Sequence, residues 1–101
     1  MREQKVQLLT FSGCPLADRA RESLERALAA LGLTGFEEVD LLDPQVPEDV
    51  KAWGSPTILV DGKDVTGSDK PDGLGCRIYP GPDKVPTSDD IVQFMRRAQR
   101  A

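Results

Sequence analysis

Two thiols and one proline turn carry most of the chemistry this chain can offer. The sequence holds two cysteines, Cys14 and Cys76, and no histidine. Lacking histidine, it is excluded from Ser-His-Asp and Cys-His catalysis and from the usual zinc ligand sets. Cys14 sits in Thr10-Phe11-Ser12-Gly13-Cys14-Pro15-Leu16-Ala17. An apolar run from Val6 to Phe11 breaks at Ser12-Gly13, then come the cysteine and a proline, then a helical pattern. Proline suits a first helical turn, where its missing N–H would find no partner anyway. Cys14 is therefore expected where free backbone N–H groups and the helix dipole favour an anion, and a thiol so placed carries more of the reactive thiolate. The alternative is a small buried cysteine at a strand end, which would be inert. A second feature downstream, Ser55-Pro56-Thr57, favours the reactive reading.

The elements that must hold these residues are legible in the periodicity. Val6 to Phe11 reads as a buried strand. Pro15 to Leu31 reads as a helix, because Leu16, Ala20, Leu24, Ala27, Leu28 and Leu31 recur at spacings of three and four. Glu22 and Arg26 form an i,i+4 pair on its other side, and Gly32 suits its C-terminal cap. Phe36 to Leu42 is a second strand, stopped by Asp43-Pro44. Glu37, Glu38, Asp40 and Asp43 there are read as a solvated strand edge. Pro47 to Trp53 fits a short helix. Thr57 to Val60 and Lys63 to Thr66 flank Asp61-Gly62, a strong hairpin signal. Gly67 to Thr87 has turn chemistry throughout and contains Cys76; a loop of that length in a compact domain is often functional. Ser88 is the expected N-cap of a last helix, with Asp89 and Asp90 in its first turn.

The resulting order is βαβαββα, one α/β domain over residues 1–101 with a mixed four-stranded sheet flanked by helices. The first two strands should be parallel by the crossover rule and the last two a hairpin. A net charge of −4 with interspersed signs argues against a nucleic-acid partner, which would meet a basic face. No apolar run approaches the ~20 residues of a membrane span. Met1 to Lys5 leads directly into a strand without a signal-peptide core, so a cytoplasmic location is expected. Two cysteines in such a chain point to catalysis, redox chemistry or metal binding rather than a structural staple.

That order, with Gly13-Cys14-Pro15 at the first strand–helix turn and Ser55-Pro56-Thr57 before the third strand, resembles the thioredoxin-like superfamily, and glutaredoxins in particular. The resemblance implies a thiol–disulfide oxidoreductase with no cofactor and a protein or small-molecule thiol or disulfide as partner. Cys14 becomes the nucleophile and Pro56 a cis-proline facing it. Pro15, Ser55, Pro56 and Thr57 become the residues that shape the substrate groove, where free backbone can bind an extended substrate like an added strand. Three positions depart from the family. Ala17 stands where Cys-x-x-Cys has its second cysteine, Leu9-Thr10-Phe11-Ser12 brings no lysine, and Thr66-Gly67-Ser68-Asp69 only echoes Gly-Gly-x-Asp. These departures leave glutathione binding open. Release of a mixed disulfide needs a second thiolate, and Cys76 is the resolving candidate within the chain; the alternative is that it packs beside Ile78 and Tyr79. Asp18 works against a Cys14 thiolate and Arg19 and Arg21 work for it, and the sequence leaves the net shift open. The Gly54–Gly62 and Cys76–Tyr79 segments are also similar to small bacterial proteins related to organomercurial lyases. This implies the alternative of a non-catalytic module in which Cys14 and Cys76 hold a soft, thiophilic metal ion or a protein partner. In that setting Asp18 would by analogy be the acid; the alternative is a solvated aspartate at the helix start. Trp53 is read as lining the cleft beside Cys14 or as core.

Overall fold

A computed structural model of the chain describes residues 4–67 and 84–100. Among these the elements are β1 (Val6–Thr10), α1 (Ala17–Ala30), β2 (Glu37–Asp40), α2 (Glu48–Lys51), β3 (Thr57–Val60), β4 (Lys63–Asp64) and α3 (Ser88–Arg100). The strands form one mixed sheet in the order β2-β1-β3-β4. β1 and β2, joined through α1, are parallel, and β1–β3 and β3–β4 are antiparallel.

Alternation along the strands sorts the side chains onto two faces. Val6 and Leu8 of β1 share a face with Ile58 and Val60 of β3, and that face packs on Leu24 and Leu28 of α1 and Ile91 and Met95 of α3. The opposite face carries Leu9, Leu41 and Leu59, with Val39, Val50 and Trp53 packed against them. Helices thus cover the sheet from both sides: α1 and α3 against one face, the α2 segment against the other. Trp53 belongs to this second cluster, which resolves its role in favour of packing.

Local chemistry sets the boundaries. α1 begins at Ala17, two residues later than the periodicity predicts, because residues 14–17 form a separate turn in which Ala17 N–H donates to Cys14 O at 3.3 Å. It ends where Leu33 N–H donates to Leu28 O and Gly32 N–H to Ala29 O, with Gly32 at φ 71, a paired capping arrangement that favours glycine. β4 stops at Asp64, short of Thr66, because the Asp64 carboxylate accepts from both the backbone N–H and the hydroxyl of Thr66. Asp61 and Gly62 both have positive φ, the twist a two-residue hairpin turn requires. The cap of α3 falls on Thr87 rather than Ser88. Thr87 Oγ1 accepts from Asp90 N–H at 3.1 Å while Asp90 Oδ2 accepts from Thr87 N–H at 3.3 Å, a reciprocal box. No helix of the described residues is long and apolar enough to cross a membrane.

Candidate functional site

β1 runs toward α1 and delivers Cys14 at its C-terminal end. The Phe11–Cys14 turn is closed by Cys14 N–H donating to Phe11 O at 3.2 Å, and Gly13 takes φ 90 within it, which a side chain would resist. Cys14 is a free thiol of intermediate exposure. It lines an open cleft of about 560 Å³ together with Thr10, Phe11, Ser12, Gly13, Ala17, Asp18, Arg21, Glu38 and Asp40.

The charged wall of that cleft follows from register. Leu8 pairs with Glu38 and Thr10 with Asp40 across the parallel β1–β2 ladder, so Glu38 and Asp40 point to the α1 side of the sheet. On β1 and β3 that side is filled by Leu8, Ile58 and Val60. At β2 it carries carboxylates instead, and the gap between β2 and the first turn of α1 stays open. Arg21 of α1 bridges the gap. Its Nε and Nη2 donate to the two carboxylate oxygens of Glu38 at 2.9 and 2.7 Å, and its Nη1 donates to Asp18 Oδ1 at 2.6 Å. Thr10 Oγ1 adds a bond to Glu38 Oε2 at 3.3 Å. Glu38 is thus anchored in the cleft wall and not simply a solvated edge residue, as its neighbours in β2 suggested.

These bonds shift the titration of both partners. The two-point hydrogen bond from Arg21 holds the Glu38 carboxyl below its ordinary value, with the guanidinium charge acting in the same sense and burial opposing it. The same bond to Glu38 raises the Arg21 guanidinium above its ordinary value, so Arg21 stays charged throughout. A carboxylate whose folded-state value is lowered adds stability above its unfolded value and loses it as the pH falls through the folded one. Glu38→Gln is therefore expected to unfold more easily than the parent at neutral pH. The gap should close as the pH drops below the ordinary value of 4.5. With the Glu38 side chain 40% exposed, solvent screening limits the difference, to about 0.5–1 kcal/mol. Urea titrations of both chains across the acid range measure it.

The residues expected to form the groove divide. Pro15 is exposed next to Cys14. The Ser55–Pro56 peptide bond is cis, and Ser55, Pro56 and Thr57 are each buried. They do not line the cleft described above. Ser55 Oγ accepts from Phe11 N–H at 3.3 Å, so the entry to β3 is tied directly to the loop that carries Cys14. Thr57 Oγ1 lies 2.9 Å from Gly54 O and 3.2 Å from Trp53 O and closes the turn from inside. The structure therefore brings the Ser55 hydroxyl to within three residues of Cys14 in sequence.

Asp18 is almost wholly exposed and paired with Arg21. Arg19 faces a second depression, with Glu22, Ser23, Arg26 and Val85, and is not part of the cleft. Sequence reasoning did not assign Glu38 and Asp40 to the site. The available signal was their alternation with apolar Val39 and Leu41, which places both on the face that α1 covers. Cys76, and with it the expected resolving or co-ligating thiol, lies outside the described residues. Among the described residues no group of three histidine, cysteine, aspartate or glutamate side chains is arranged to hold a metal ion. Compared with protein-family models, curated proteins and solved structures, the chain has no match in any of the three.

Proposed function

We propose that the chain is a thiol–disulfide oxidoreductase on a thioredoxin-like scaffold, with Cys14 as its nucleophile, acting where thiols are kept reduced, as in the cytoplasm. The observation that carries this reading is a partly exposed free thiol lining an open cleft, on the turn between the central parallel strand and the following helix. Loops at the C-terminal ends of parallel strands are where α/β folds place reacting groups. A mixed four-stranded sheet with β1 and β2 parallel and β3 and β4 a hairpin is compatible with the arrangement the superfamily resemblance implies.

The chemistry is a pair of exchanges. The Cys14 thiolate attacks one sulfur of a substrate disulfide. The substrate S–S bond breaks, a Cys14–substrate disulfide forms, and the other half leaves as a thiolate that takes a proton from water. A second thiolate from solution then attacks the substrate sulfur of the mixed disulfide. Cys14 is released as thiolate, and the incoming thiol leaves as a new disulfide with the substrate half. No net electrons enter or leave the protein.

Incubation with 2-hydroxyethyl disulfide and mass spectrometry test the first exchange. A single adduct at Cys14, gaining one mercaptoethanol moiety and reversed by dithiothreitol, is expected within minutes at neutral pH. An unmodified Cys14 under conditions where a free peptide thiol reacts would overturn the proposal.

A further inference from the structure

Building on the thiol–disulfide reading, the geometry points to a substrate class: the cleft selects disulfides that carry positive charge beside the reacting sulfur and disfavours anionic ones. Among the described residues its lining holds three carboxylates, Asp18, Glu38 and Asp40, and one guanidinium, Arg21. Two negative charges remain. Three of the five N–H groups of Arg21 already donate to Glu38 and Asp18, and the charges of these two carboxylates exceed its own. A carboxylate-bearing disulfide entering here would meet an arginine already flanked by two carboxylates and would still face Asp40. Asp40 is differently placed. Its Oδ1 accepts from Leu42 N–H at 2.9 Å, and no cation of the described residues pairs with it. An ammonium or guanidinium next to the substrate sulfur would find in Asp40 a partner on the wall of the same cleft that Cys14 lines.

The cleft's field acts on encounter as well as on binding. A concave site whose lining has an excess of one sign of charge raises the local concentration of the opposite ion, and the effect fades as salt screens it. The discriminating step is therefore the first exchange, formation of the Cys14 mixed disulfide, and the preference should be sensitive to ionic strength.

The test measures the rate of Cys14 modification by cystamine, 2-hydroxyethyl disulfide and glutathione disulfide. Each rate is normalised to the same disulfide's reaction with a free small-molecule thiol, which removes differences in leaving-group chemistry. At low ionic strength cystamine is expected to be favoured over glutathione disulfide by about tenfold. The ratio should shrink in 0.5 M potassium chloride and in Asp40→Asn, a substitution that keeps the acceptor for Leu42 N–H. A disulfide of a lysine-flanked peptide assigns the source of the cation. If it matches or exceeds cystamine, basic peptides are the class; if it lags, small aminothiols are. A normalised ratio that ignores both salt and Asp40→Asn would overturn the selectivity and leave the nucleophile standing. Failure of Cys14 to react with any of the probes would instead remove the reading on which the selectivity rests.

Discussion

Replacing Cys14 by serine should slow disulfide exchange by at least about a thousandfold while leaving the fold intact. A serine hydroxyl is scarcely ionised at neutral pH and forms no disulfide. The chain has no histidine to act as a base for it. The turn that holds position 14 is built from backbone bonds alone, Cys14 N–H to Phe11 O and Ala17 N–H to Cys14 O, and serine preserves both. Turnover of 2-hydroxyethyl disulfide coupled to a thiol donor reports the chemistry, and circular dichroism with a urea melt reports the fold. Undiminished turnover in a folded Cys14→Ser chain would exclude Cys14 as the nucleophile and pass the question to Cys76.

The second large effect concerns the scaffold. Leu8 is fully buried at the centre of β1, between β2 and β3 and beneath α1. Leu8→Ala removes most of a side chain from a packed site and leaves a cavity that the sheet cannot close, because backbone pairing on both sides fixes the strand. A loss of about 3 kcal/mol is expected, a large share of the roughly 5–15 kcal/mol that stabilises a domain of this kind. It should appear as a lowered urea midpoint with an unchanged slope. Leu33, 37% exposed after the end of α1, is the control; Leu33→Ala should stay within about 0.5 kcal/mol. Equal effects at the two positions would mean that the faces of β1 are wrongly assigned.

Much of this architecture was readable in the chain because its periodicities are unambiguous. The three-and-four spacing of Ala20, Leu24, Ala27 and Leu28 names the buried face of α1, and these residues are buried there. Asp61-Gly62 announced a hairpin and both residues take the required positive φ. Boundaries were less legible, since they depend on single hydrogen bonds from short polar side chains. Asp64 ends β4 by bonding Thr66, and Asp90 pulls the cap of α3 back to Thr87. The site was legible as a point and not as a surface. Gly13-Cys14-Pro15 marks the strand–helix turn that holds the thiol, but α1 starts only at Ala17, so Cys14 and Pro15 precede the helix instead of standing in its first turn. The cleft wall depends on which residue of β2 stands opposite Leu8, and that register is a long-range property. Once Glu38 is set beside Leu8, Arg21 on α1 has a carboxylate to bridge to and the arginine stops being a generic helix surface charge.

The same placement has a consequence away from the thiol. Among the described residues β2 is a border of the sheet, and a border strand offers unpaired backbone groups to any passing chain. In this molecule that border is four residues long and carries Glu37, Glu38 and Asp40. Two copies laid side by side along it would bring rows of carboxylates together at neutral pH. Like charge would then face like charge, which disfavours strand-to-strand pairing of two copies along that border.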